Sequence, residues 1–163
     1  ELQRARDEGG TQIIRGTTGA EIPFDPEIQL EVLAPSTEAI ATDDKNNASI
    51  VLRLTYGLVS VLLTGDAEVE EEAWLMGQGT ILDAQILKVS HHGSDTASSS
   101  ALLDQVDPEV ALISCSADNQ YGHPHEEVLD RLADYGADVY RTDQNGTIEV
   151  VTDGFEYWVT TER

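Results

Sequence analysis

The sequence predicts an α/β fold in which a mixed, layered sheet is flanked by helices, within one domain covering residues 1–163. Three observations carry this. Strand-like segments crowd the first half, and the second half alternates strand and helix, the order that builds a sheet with helices packed on it. Two short apolar runs, 58–63 and 84–89, break off into polar tips, as buried strands do where they leave a core. No linker, repeat or low-complexity tract divides the chain, and 163 residues are enough to bury a core.

Residues 1–8 read as the end of a helix stopped by Gly9-Gly10, and 11–15 as a short strand. Gly16-Thr17-Thr18-Gly19 forms a turn, and 21–26 lead into a strand over 28–33, where Ile28, Leu30 and Val32 alternate with polar residues. Residues 35–47 are a polar loop. A strand over 49–56, a turn at Gly57 and an antiparallel partner over 58–64 follow. The helix over 67–76 starts acidic, with Asp66 and Glu68 favouring its dipole, and ends at Gly77-Gln78-Gly79. Residues 84–89 form a strand, 98–106 a helix with Ala101, Leu102 and Val106 on one side, and 110–114 a strand. Pro124 precedes a helix over 125–135 that turns Val128, Leu129 and Leu132 inward and closes at Gly136. Short strands over 139–142, 146–151 and 155–160 finish the chain, the last two joined at Asp153-Gly154 as a tight hairpin. The chain opens mid-pattern at Glu1 and is expected to be a mature or truncated piece of something longer.

Charge is the unusual feature. There are 31 acidic residues against 9 basic ones, a net charge of −22, and Lys45 and Lys88 are the only lysines. Such an excess opposes polyanion binding at moderate salt and suits solubility in brine, where repulsion is screened. The plainer alternative is a solvated acidic face. No apolar stretch approaches the ~20 residues of a membrane span. The single Cys115 lies in an apolar run, cannot form an internal disulfide and reads as a buried, inert thiol. A Gly-x-Ser-x-Gly elbow, a phosphate-cradling glycine loop and basic–aromatic interleaving are all absent from the sequence. The hydroxyls at Ser94, Thr96 and 98–100 therefore read as helix caps.

The candidate chemistry lies at the two polar tips. The first run ends in Gly65-Asp66 and the second in Ser90-His91-His92-Gly93-Ser94. Strands ending at one edge would bring together a hard carboxylate oxygen and an imidazole nitrogen that zinc, manganese or iron accept, half of a metal site. On these residues alone another reading stays open. Gly-Asp is common at strand ends, and a His-His pair also arises as one structural histidine beside an exposed one. His123 and His125, in Tyr121-Gly122-His123-Pro124-His125, again follow a strand. Turn and helix-start roles are their alternative, and for His125 the expected one.

Five motifs now stand in order: Asn46-Asn47-Ala48-Ser49-Ile50-Val51-Leu52, Leu62-Leu63-Thr64-Gly65-Asp66, Leu87-Lys88-Val89-Ser90-His91-His92-Gly93-Ser94, Asn119-Gln120-Tyr121-Gly122-His123-Pro124, and Arg141-Thr142-Asp143-Gln144-Asn145-Gly146. The series resembles the metallo-β-lactamase-fold hydrolase domain of the ComEC type, found in DNA-uptake proteins and as free-standing relatives, over roughly residues 28–151. The resemblance implies the second half of an αββα sandwich and a centre of two divalent ions, zinc or manganese, that hydrolyses phosphodiesters or related esters. It implies that Asp66 bridges the metals, that the His91/His92 pair supplies a ligand, and that His123 is a catalytic group at the rim, behind the ligands or touching substrate. Nucleic acid or another phosphodiester is the implied substrate, and a secreted or cell-surface location is favoured.

The family's first metal motif, His-x-His-x-Asp-His, does not occur in this chain. The expected partner is accordingly the missing N-terminal half of the fold, on the same polypeptide or as an associated fragment. A phosphodiesterase or nuclease linked to DNA uptake is the expectation for the complete protein. The alternative is a non-catalytic structural or interaction domain that keeps the fold without a complete metal site.

The charge yields the first test. An acidic surface adapted to brine gains stability as salt screens its self-repulsion. Thermal melts should rise steadily toward molar KCl, and a flat or falling series rejects the salt-adapted reading.

Overall fold

Six strands assemble in chain order into one sheet. In the computed structural model, which describes residues 14–163 apart from Phe24 and Asp43, β1 (Ile28–Ala34), β2 (Val51–Tyr56) and β3 (Val59–Leu63) run antiparallel. From β3 onward the pairing is parallel, through β4 (Ile86–Lys88), β5 (Val110–Ile113) and β6 (Asp138–Arg141). The switch follows from the connections. β2 and β3 are joined by a turn at Gly57, whose φ of +59° and close approach to the Gly154 backbone suit glycine. The later strands are joined by helical crossovers, which parallel pairing requires. These crossovers carry α2 (Val69–Gly77), α3 (Ser100–Val106) and α4 (Glu126–Asp134).

One sheet face packs on these helices. Leu62, Leu87, Ala111 and Ile113 meet Leu75, Leu102, Leu103, Val128 and Leu132, all almost fully buried. Residues paired across strands share a face, so Leu52, Leu63, Lys88, Leu112 and Tyr140 form a row on the opposite side. There the separate hairpin of β7 (Ile148–Thr152) and β8 (Tyr157–Thr161) covers Val59, Ile86 and Val110 with Val150, Tyr157 and Val159. Leu52, Leu54 and Leu63, beyond the hairpin, are left only half-buried.

The expected helix over 1–8, and the expected strand over 11–15 up to residue 13, lie outside the described residues; Ile14 and Arg15 are not in a strand. The expected polar loop over 35–47 contains a short helix, α1 (Thr37–Thr42), with Ser36 Oγ accepting from the Ala39 amide at 3.1 Å. Six residues are too few to show a helical period. The stretch expected to end a strand at Thr142 turns instead into α5 (Thr142–Asn145). The final hairpin has a loop of Asp153–Glu156, in which Asp153 Oδ1 accepts from the amides of Phe155 and Glu156 at 2.8 and 2.9 Å. Among the described residues no helix is long and apolar enough to cross a membrane.

Helix α2 carries two buried carboxylates that face backbone donors. Glu71 accepts from the amide and the hydroxyl of Ser36, and Glu72 accepts from the amides of Ser98 and Ser99 at 2.5 and 3.0 Å. The helix thereby fastens the loop after β1 and the loop leading into α3. Glu72→Leu strands two amides and should cost about 2–4 kcal/mol in urea unfolding, whereas exposed Glu70→Ala should stay within about 0.5 kcal/mol. Equal effects would remove Glu72 from this role.

Candidate metal centre

Parallel pairing of β3 with β4 sends both chains out of the sheet at the same edge. Asp66 leaves β3 on a turn whose Gly65 has φ +59° and lies against Ser49, where an added Cβ would sit 2.9 Å from the Ser49 Cβ. After β4 the chain makes a one-turn 3₁₀ segment, Ser90–Gly93, in which His91 and His92 both adopt left-handed backbone angles, with φ of 45° and 57°. Such φ values are strained outside glycine. The left-handed turn brings the two adjacent rings together, 6.4 Å apart between centroids, where an extended strand would send them to opposite faces. Gly93 continues the turn at φ +82°, and its missing Cβ leaves room for Pro124.

Backbone and side-chain bonds tie the two tips together. The His91 amide donates to the Gly65 carbonyl at 3.1 Å, and Ser90 Oγ donates to the Ala67 carbonyl at 2.5 Å. Lys88 Nζ donates to the Val89 carbonyl at 3.2 Å and reaches the Gly65 carbonyl at 3.5 Å. Burial lowers the Lys88 pKa, and nearby Asp66 pulls it partly back.

The structure places His92 Nε2 3.5 Å from Asp66 Oδ1, with both side chains a little under half exposed. His92 Nδ1 lies 2.6 Å from the Ser114 carbonyl just after β5, so Nδ1 carries a proton and donates it in a hydrogen bond, which turns Nε2 toward Asp66. Two lone-pair donors at that separation match neighbouring ligands of one ion with bonds of about 2 Å. His91 directs its Nδ1 toward Glu68. Its Nδ1 is buried, makes no hydrogen bond and lies 3.1 Å from Glu68 Oε1. His123 stands edge-on to His91 at 5.5 Å and to His125 at 4.9 Å, so all 4 histidines of the chain gather at this edge. Burial first, then the neighbouring histidines, lower the His123 pKa from its ordinary value, against the opposing pull of Asp95.

The donor chemistry fits a divalent metal in part. Asp66 and His92 offer one shared corner, yet among the described residues no group of three or more His, Cys, Asp or Glu side chains converges to hold an ion. A full coordination sphere needs donors beyond these.

Sequence reasoning gave no role to several residues that build the corner. Ser49 Oγ accepts from the Asp66 amide at 3.0 Å; Asn47 Oδ1 accepts from the Glu68 amide at 2.9 Å; Asn46 Nδ2 donates to Glu68 Oε1 at 3.2 Å. They belong to the first of the five motifs, whose polar residues just ahead of a strand were the available signal. His125 is more than the helix-start residue expected of it. It precedes α4, and its ring also accepts from the Asp95 amide at 3.0 Å and reaches the Tyr121 carbonyl at 3.3 Å, fastening two site loops. The last motif seats the end of β5. Thr142 Oγ1 bonds both the amide and the carbonyl of Cys115, at 2.9 and 2.7 Å, and Arg141 grips Asp143 through two bonds of 3.0 and 2.7 Å. Cys115 is half-buried, not buried, and its thiol donates to Asp143 at 3.1 Å. Burial, then Asp143, raise its pKa and keep the proton on sulfur.

With that geometry in place, the class is defined. Residues 1–117 match the model of the metallo-beta-lactamase superfamily, and the chain belongs to that superfamily. Its curated relatives include ComE operon protein 3 of Bacillus subtilis (strain 168), 40% identical over 148 residues, spanning 91% of this chain and 19% of the relative. Competence protein ComA of Neisseria gonorrhoeae is 38% identical over 123 residues, 75% of this chain and 18% of its own length. Recombination protein 2 of Haemophilus influenzae is 37% identical over 123 residues, 76% of this chain and 15% of its own length. These are ComEC-type competence proteins, and the chain spans less than a fifth of their length. A crystal structure of a protein from Parabacteroides distasonis ATCC 8503 shares the fold, with a TM-score of 0.54 at 17% identity, over 86% of this chain and 62% of that one.

The Arg141–Asp143 pair makes a pH prediction. Hydrogen bonds from Arg141 hold the Asp143 carboxyl below its ordinary value of 3.8, against the opposing effect of burial. A depressed carboxylate contributes stability that is complete above the ordinary value and is lost as pH falls through the lower, folded one. Asp143→Asn should therefore lose less melting temperature than the parent between about pH 5 and 2. Parallel melting curves over that range would remove the pair from the acid response.

Proposed function

We propose that this chain forms part of a metal-dependent phosphodiesterase, a nuclease linked to DNA uptake, in which Asp66 and His92 hold a pair of divalent ions. The observation that carries the reading is the Asp66–His92 corner, 3.5 Å across, with His92 oriented by the Ser114 carbonyl. A ligand histidine whose second nitrogen is fixed by a carbonyl is the usual arrangement around a metal. Membership of the superfamily supports metal chemistry, and the competence proteins among the relatives support the link to DNA uptake. When bound, zinc or manganese ions supply a nucleophilic water near neutral pH and draw charge from a phosphoryl oxygen.

The remaining steps belong to this chain. Asp66 and His92, with neighbouring His91, would hold the ions from this chain's side, and Glu68, held by Asn46 and Thr96, sets the position of His91. His123 acts at the rim on the substrate. The remaining ligands come from a further half of the fold, whose sheet covers the half-buried row at Leu52, Leu54 and Leu63. A secreted or cell-surface setting accords with this role. One observation favours a second reading, a non-catalytic interaction domain: the described residues alone form no three-donor metal group.

Both readings meet in one experiment on the full-length protein. It should carry about two metal ions by elemental analysis and cleave single-stranded DNA or bis-(p-nitrophenyl) phosphate. Chelator should stop turnover, and added metal should restore it. Asp66→Ala should lose metal and abolish activity. His123→Ala should keep its metal and lose roughly 10- to 100-fold in turnover, the range for groups just outside the ligand set. A metal-free protein, or an active Asp66→Ala variant, gives the field to the interaction domain.

A further inference from the structure

We propose that Tyr121 and His123 form a stacking platform for one unpaired nucleobase of a single strand, seated in the cleft beside His92; this rests on the phosphodiesterase reading. Tyr121 is 68% exposed although it is a large aromatic, and its ring lies on that of His123 at 5.7 Å and 27° from parallel. The outer face of Tyr121 is thus left open above a supported ring.

The loop that carries the pair is held rigidly. Asn119 Oδ1 accepts from the His123 amide at 2.9 Å, and Asn119 Nδ2 donates to the carbonyls of His123 and Ser116, both at 2.7 Å. The cleft in front, of about 400 Å³, is lined by His92, Cys115, Asn119 and the stacked pair. That volume suits a base with its sugar. A base within a duplex has both faces stacked already, so the platform selects single strands.

Charge sharpens the choice. Among the described residues no lysine or arginine lines the cleft, and the chain's net charge is −22, so no described cationic side chain here grips a phosphate. Affinity must come from the flat faces of bases. Binding that rests on lysine and arginine weakens steeply as salt rises. Binding through this platform holds or strengthens, because salt also screens the repulsion.

The test is fluorescence anisotropy in chelator, on the full-length protein, with a dye-labelled single strand, an abasic strand of equal length and charge, and a duplex. The single strand should bind about tenfold tighter than the abasic strand, as one stacked base contributes. Tyr121→Ala should abolish that preference, Tyr121→Phe should keep it, and affinity should hold or rise between roughly 50 and 500 mM KCl. Equal binding of the abasic strand, a preference that survives Tyr121→Ala, a steep fall with salt, or no binding of the single strand overturns the proposal. Hydrolysis of bis-(p-nitrophenyl) phosphate by the same preparations, with chelator removed and metal restored, separates the two claims. Turnover without base preference sinks the platform alone, and base preference without turnover sinks the phosphodiesterase reading alone.

Discussion

The pairing of β3 with β4 in parallel is the constraint from which the site hangs. Val61, Leu62 and Leu63 register with Ile86, Leu87 and Lys88, so the turn at Gly65-Asp66 and the turn at His91-His92 emerge side by side. A one-residue slip would move every side chain of β4 to the other face and take Leu87 out of the helix-side core. Register is therefore fixed by the burial of Leu62 and Leu87, not by the polar tips. The His91 amide bond to the Gly65 carbonyl then closes the gap between the tips. Core packing sets the edge, and hydrogen bonds set the distance across it.

Around that edge the polar side chains mostly satisfy backbone donors and acceptors. Glu71 and Glu72 sit almost fully buried with serine amides and a serine hydroxyl as partners, where hydrogen bonds to charged groups are worth about 1.5–3 kcal/mol each. Both stand on α2, which begins at Val69, just after the Asp66 turn. The helix is thus a bracket: its apolar side holds the sheet through Leu75, and its carboxylates hold the loops on either side of the site. The strained angles at His91 and His92 persist because Gly65, Ala67 and Ser98 each bond the segment from a different direction.

The strands of the sheet were legible because each carries an apolar run or an alternation long enough to read. Asp66 and the His pair were legible because both stand where such a run stops. What stayed hidden was set by contacts remote in sequence. Nothing local distinguishes His91 from His92; the difference comes from Ser114, 22 residues away, whose carbonyl accepts a hydrogen bond from His92 Nδ1. His125 looked like a helix-start residue because its partners, the Asp95 amide and the Tyr121 carbonyl, lie in loops that only the fold brings together. Cys115 looked buried because its apolar neighbours in sequence belong to β5, while the thiol itself leaves the strand and meets Asp143. Helix α1 and the turn at Thr142 were too short to show a period.

Electrostatics links the composition to the site. A chain with 31 carboxylates and 9 cationic side chains draws small cations and repels polyanions. The field thus favours metal at Asp66 and opposes the phosphate backbone of a nucleic acid. Of the described cations near the corner, Lys88 is turned to the carbonyls of Val89 and Gly65, and Arg141 is committed to Asp143. Neither reaches the cleft lining. An acidic scaffold of this kind handles a phosphodiester only by separating the two tasks that a basic protein combines. Under the function and platform proposed above, charge would be met at the Asp66–His92 corner and the strand held through bases, whose faces carry none. The half-exposed imidazole of His92 stands at the boundary, with Asp66 on one side and the Tyr121–His123 cleft on the other.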